Sequence, residues 1–73
     1  MKRLTLYGRP GCHLCDEARE ELKRLHIPYV EVDIDSDDEL LRRYLERIPV
    51  GVLDGEELFA FFVDEGAVRA RLQ

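Results

Sequence analysis

Leu4-Thr5-Leu6-Tyr7-Gly8-Arg9-Pro10-Gly11-Cys12-His13-Leu14-Cys15 holds a strand, a turn and the start of a helix. Leu4 to Tyr7 alternates with the period of two that a strand requires. Gly8-Arg9-Pro10-Gly11 breaks that pattern with turn formers. From Cys12 to His26 the apolar residues Cys15, Ala18, Leu22 and Leu25 recur at helical spacing, with charged residues between them. Glu20 and Arg24 form an i,i+4 pair on the outer face, and Pro28 stops the helix. Tyr29 to Asp35 alternates again, with Val30, Val32 and Ile34 on one side. A strand, a crossover of about 20 residues and a second strand suffice for a parallel βαβ unit.

Working outward, Ser36-Asp37-Asp38-Glu39 matches a capping box, with Ser36 as N-cap and Glu39 reaching back. The helix it opens carries Leu40, Leu41, Tyr44 and Leu45 on its apolar face and ends at Ile48-Pro49. Val50 to Leu53, Asp54-Gly55 and Glu56 to Val63 read as a hairpin, because Asp-Gly suits a type I′ turn. Phe59 and Phe61 then share one face, Phe62 takes the other, and all three are expected to pack in the core. Asp64 caps a last helix that runs through Arg71, with Ala67, Val68 and Leu72 inward. The expected fold is α/β, a single domain over residues 1–73, ordered β-α-β-α-β-β-α, with helices covering both faces of a four-stranded mixed sheet.

Composition limits what such a domain can do. A chain of 73 residues is one small domain and too short for a large multi-substrate enzyme. Its formal net charge of −5 is the wrong sign for binding nucleic acid or an anionic membrane surface. No apolar run approaches the ~20 residues of a membrane span, and the N-terminus lacks the apolar core of a signal peptide. The expectation is a soluble cytoplasmic protein.

Cys12 and Cys15 are the two cysteines. A bridge three residues apart closes almost no loop, so the pair is no structural staple. In an intracellular chain, Cys-x-x-Cys points to redox or metal chemistry. Here it falls where a strand's loop enters a helix. Cys12, at or beside the N-cap, receives unpaired backbone N–H groups and the positive end of the helix dipole, which favour a thiolate. Cys15 lies one turn on, on the buried stripe. Cys12 is therefore the candidate nucleophile and Cys15 the resolving thiol. His13 and His26 are the only histidines, which leaves too few ligands for a four-coordinate zinc within one chain. A site of four thiolates shared by two chains stays open. His13 either tunes Cys12 as an imidazolium or stands exposed at the helix start.

Residues 6–15, with Ile48-Pro49 and Leu53-Asp54-Gly55-Glu56, resemble glutaredoxins, and most of all the short bacterial glutaredoxin-like proteins with a Cys-x-Leu-Cys pair. The resemblance covers nearly the whole chain. It implies the minimal thioredoxin/glutaredoxin fold with sheet order 2-1-3-4 and a cis Ile48-Pro49 bond beside Cys12. It also implies that Ile48 pairs through its backbone with an extended thiol substrate. Arg9 matches the basic residue that holds a glutathione carboxylate, and Arg47 stands near the cis-proline. The expected site is thus Cys12 and Cys15 for chemistry, with Arg9, His13, Leu14, Ile48 and Pro49 facing the substrate.

The sequence departs from the family's common pattern in two places. His13-Leu14 stands where Pro-Tyr is usual, and Phe59-Ala60 aligns with a Gly-Gly pair of the glutathione pocket, with Asp64 displaced by about two positions from the acidic residues that follow. The expected activity is thiol–disulfide exchange on protein disulfides or glutathione mixed disulfides. No cofactor is bound, and glutathione or a reductase supplies electrons. The alternative is a binding module that turns nothing over, its cysteines holding a metal ion or a persulfide.

Overall fold

The structure, a computed structural model, describes residues 3–72. Strand β1 (Leu4–Gly8) leads into helix α1 (His13–Arg24) and strand β2 (Tyr29–Asp33). A 3-10 turn (Ile34–Ser36) and helix α2 (Asp38–Tyr44) follow, then β3 (Val50–Leu53), β4 (Glu56–Ala60) and helix α3 (Glu65–Leu72). The sheet order is β2-β1-β3-β4. β1 and β2 run parallel, with Leu4 opposite Tyr29 and Gly8 opposite Asp33. β3 lies antiparallel to both β1 and β4. Asp54 and Gly55 both have positive φ, 52° and 79°, as the type I′ turn demands.

Alternation along the strands builds two cores. Leu4 and Leu6 of β1 meet Ala18 and Leu22 of α1, its C-cap Leu25, Val68 of α3, Leu53 and Phe59. Tyr7 faces the other way, into a smaller cluster of Ile34, Tyr44 and Val50 under α2. There its ring stacks on that of Tyr44 at 4.6 Å. Gly51 permits the larger core to close: a Cβ there would lie 2.2 Å from the Phe59 ring. A β-bulge beside Gly51 leaves Leu58 without a partner on β3, and Leu58 packs, with Phe59, on the larger core.

Several local expectations need correction. β2 ends at Asp33, and Ile34 is buried from within the 3-10 turn. Val30 is exposed, because α2 packs over Ile34, near the other end of that edge strand. Ser36 does not cap α2. Its hydroxyl donates to the Asp33 carbonyl at 2.7 Å, and Asp37 takes the cap, accepting from the Glu39 N–H at 2.8 Å. Leu45 is exposed past the last turn of α2. Arg24 pairs with Glu21 rather than Glu20, at 2.7 Å.

β4 stops at Ala60, so neither Phe61 nor Phe62 joins the core. Phe61 has φ 72°, and the Phe62 N–H donates to the Ala60 carbonyl at 2.8 Å. That is a γ-turn of the rare positive-φ kind. His26 is also left-handed, at φ 58°. It occupies the position after the α1 C-cap where glycine is usual: its N–H donates to Lys23 and that of Ile27 to Leu22, a Schellman pattern. Asp64 caps α3 as expected, accepting from the Ala67 N–H at 3.1 Å.

Candidate functional site

Cys12 is placed by the turn before it. Gly11 adopts φ 78°, a conformation that costs a glycine little. Cys12 then enters α1 as its N-cap, with extended backbone (φ −94°, ψ 115°). Its Sγ accepts the Cys15 N–H at 3.2 Å, and its carbonyl accepts the Asp16 N–H at 3.1 Å. The sulfur thus does what a serine or aspartate oxygen does at other N-caps, and an N–H donated to sulfur supports negative charge there. Cys12 remains partly exposed while Cys15 is wholly buried.

The Cys15 thiol is pushed up to about 12 from 9.0. Burial is the largest cause, since an apolar setting penalises the thiolate. The neighbouring Cys12 thiol adds to it through a hydrogen bond, and the Arg9 backbone N–H works in the opposite direction. Gly8 makes room for this sulfur: a Cβ at Gly8 would lie 3.0 Å from Cys15 Sγ and 3.3 Å from its Cβ. Gly8 reads in sequence as a turn former only. Its second use, as a bare patch of strand under a thiol, depends on how α1 docks and has no local signal.

The Ile48-Pro49 bond is cis, and Pro49 is fully buried. Thr5 pairs with Val52, Leu6 with Gly51 and Tyr7 with Val50. Continuing that register sets Pro49 across from Gly8, at the sheet end where Cys15 sits. The Pro49 carbonyl accepts the Phe61 N–H at 2.8 Å. The loops before α1, before β3 and after β4 therefore meet at one edge. Phe61 was missed as part of this junction. Phe59 and Ala60 both lie inside β4, and Phe61 is the residue after the strand that takes the left-handed backbone.

The charged residues are engaged with neighbours. Arg9 reaches Asp35 at 3.2 Å, both partly exposed. His13 points outward, 84% exposed, with its Nε2 2.7 Å from Glu17. Leu14 is half-buried in the first turn of α1, and Ile48 packs on the smaller core. Arg47 pairs with Glu57 at 2.6 Å and lies 5.6 Å over the Tyr44 ring. Among the described residues, no group of three or more His, Cys, Asp or Glu is arranged to hold a metal ion. No described helix is long and apolar enough to cross a membrane.

Residues 3–73 match the family described as a glutaredoxin-like domain (DUF836). The chain is similar to protein Ne2328 of Nitrosomonas europaea, at 33% identity and TM-score 0.86 over 99% of this chain and 92% of that one. It is likewise similar to target protein XcR50 of X. campestris, at 41% identity and TM-score 0.78, covering 94% and 93%. A glutaredoxin-like protein of Dictyostelium discoideum, described as a YDR286C homolog, is 25% identical over 72 residues, covering 85% of this chain and 67% of the relative. The four-stranded arrangement is the one found in thioredoxin-like and glutaredoxin structures.

Proposed function

The chain belongs to the glutaredoxin-like domain family, and from that membership we propose that it is a dithiol–disulfide oxidoreductase acting through Cys12 and Cys15. One observation carries the reading. A partly exposed N-cap sulfur accepts the Cys15 N–H, and the thiol of that same Cys15 is buried beside it.

The steps follow from this asymmetry. The Cys12 thiolate attacks one sulfur of a substrate disulfide; a Cys12–substrate disulfide forms and one substrate thiolate leaves. Cys15 then gives up its proton and attacks Cys12 Sγ, closing the Cys12–Cys15 disulfide and releasing the second substrate thiolate. The departing thiolates take up the protons. Two electrons pass to the substrate, which is reduced, and the protein is left oxidised. Two thiols of glutathione, or a reductase, restore the dithiol and are themselves oxidised. Cys15 is buried and holds its proton tightly, while the Cys12 sulfur is partly exposed to an incoming disulfide, so attack begins at Cys12. Once Cys12 is in a mixed disulfide, its thiol no longer opposes ionisation of Cys15, and the Arg9 N–H supports the developing thiolate.

The substrates in this reading are protein disulfides or glutathione mixed disulfides, and the setting is the cytoplasm, where reduced thiols regenerate the pair. Arg9 holds a glutathione carboxylate by exchanging it for Asp35. An exposed pair of this kind is worth about 0–1 kcal/mol, so the exchange is not costly. Ile48 and Pro49 line the seat of the extended substrate, with His13 and Leu14 at its rim.

The test is a redox titration in glutathione buffers, with thiols counted by alkylation and intact mass. A two-thiol transition is expected. Cys12→Ser should abolish exchange, and Cys15→Ser should accumulate a mixed disulfide. Full activity in Cys12→Ser overturns the assignment. A pair that stays reduced and unreactive at every ratio points instead to the binding module, for which metal content is the next measurement.

A further inference from the structure

Phe61 and Phe62 read as core residues in the sequence, yet they are 43% and 66% exposed. Phe61 is held there in a strained left-handed γ-turn that is tied to Pro49. Burying apolar aromatic surface is favourable, so the fold leaves an apolar gain unrealised at this edge. Phe62 forms one wall of an open groove of about 700 Å³ against α1. Ala18 lies at its base, and its rim carries Asp16, Glu17, Glu20 and Glu21 against a single guanidinium, Arg24.

The formal balance of that rim is four negative charges to one positive. Three of the carboxylates have partners: Asp16 with the half-buried Arg19, which Glu31 shares, and, at the open surface, Glu21 with Arg24 and Glu17 with His13. Such pairs are weak and exchangeable in water. Glu20 has no charged partner among the described residues. The whole chain carries −5 and adds to the same field. An anionic tripeptide such as glutathione is repelled from this groove, and so is an acidic peptide. Two rim residues, Asp16 and Glu17, lie in the turn of α1 that follows Cys12: the Asp16 N–H donates to the Cys12 carbonyl, and Glu17 pairs with His13.

We propose that the groove between α1 and Phe62 docks a cationic polypeptide segment with an apolar side chain, part of a protein whose disulfide is presented to Cys12. That this partner is a disulfide substrate rests on the dithiol reading above; the charge and apolar preference of the groove does not.

Fluorescence anisotropy with a labelled, cysteine-free peptide of alternating Arg and Leu tests it, beside the same peptide with Glu for Arg. The Arg peptide should bind the full-length reduced protein about tenfold or more tightly than the Glu peptide, with the preference shrinking between ~0.02 and ~0.5 M salt. Phe62→Ser should weaken binding of the Arg peptide about tenfold. Glu20→Lys should remove most of the charge preference. Equal affinity for both peptides, no binding of either, or a preference indifferent to both substitutions overturns the proposal. Sedimentation at the same concentrations covers the remaining occupant: a dimer that Phe62→Ser dissociates assigns the groove to a second copy of the chain and overturns it too. Because the peptides carry no cysteine, binding is read independently of exchange. A protein that exchanges disulfides but shows no preference refutes the groove alone. One that binds the Arg peptide but exchanges nothing refutes the dithiol reading and, with it, the partner's being a substrate.

Discussion

Replacing Gly8 with alanine tests whether β1 is the seat of the buried thiol. The new Cβ would stand 3.0 Å from Cys15 Sγ, and comfortable contact between such atoms begins near 3.5–4.0 Å. The sulfur, or the helix that carries it, must therefore give by a few tenths of an ångström. Overpacking of this kind costs about 1–3 kcal/mol. Gly8 does not occupy the left-handed region, so alanine also recovers about 0.4–1 kcal/mol by restricting the unfolded chain. The net loss is centred on ~1 kcal/mol and reaches at most ~2.6 kcal/mol, a large share of the stability of a domain this small. Urea unfolding under reducing conditions reads it as a midpoint lowered by roughly 1 M. The decisive comparison is a double-mutant cycle. In a Cys15→Ala background the sulfur is gone, and Gly8→Ala should cost at least ~1 kcal/mol less than in the parent. An equal cost in both backgrounds would refute the reasoning, for it would place the effect in the strand and not in the thiol contact.

Three further predictions draw on other parts of the structure. The Cys15 thiol titrates near 9.0 when unfolded and near 12 in the native protein, so above pH 9 the unfolded chain releases a proton that the native chain keeps. Its contribution to stability is complete below pH 9 and is lost as pH rises toward 12, by up to ~1.4 kcal/mol per pH unit; urea midpoints between about pH 8 and pH 10 should fall further in the parent than in Cys15→Ala. His26→Gly relieves the left-handed residue that ends α1 and should stabilise the fold by about 0.5–1 kcal/mol, raising Tm by several degrees; a lower Tm would show that the imidazole contributes more than its backbone costs. Gly51→Ala drives a methyl into the Phe59 ring and should lose about 2–3 kcal/mol in urea, with Phe59→Leu in the same chain recovering part of it; no recovery would locate the damage in the β3–β4 pairing.

Much of this molecule is local and was therefore written in the sequence. Alternation at Leu4 to Tyr7, the helical stripe of Cys15, Ala18 and Leu22, the Asp54-Gly55 turn and the Asp64 cap each depend on residues a few positions apart. So does the N-cap role of Cys12, because a helix offers its first N–H groups to whatever side chain precedes it. The resemblance supplied what local pattern does not, the 2-1-3-4 order and the cis Ile48-Pro49 bond.

The rest was decided by packing. Ser36 and Asp37 are both competent caps, and the 3-10 turn that buries Ile34 uses up the first and leaves the second. Phe61 leaves the strand pattern because its N–H is tied to Pro49, a residue twelve positions earlier in the chain. Arg9 faces Asp35, and Arg47 faces Glu57, only because separate elements end side by side. The sequence by itself determined the elements, their order and the cysteine pair. The tertiary structure decided which glycine the buried Cys15 sulfur rests against, and which aromatics are left facing water. Those outcomes depend on atoms brought within 4 Å from distant parts of the chain, and no short-range pattern encodes such a contact.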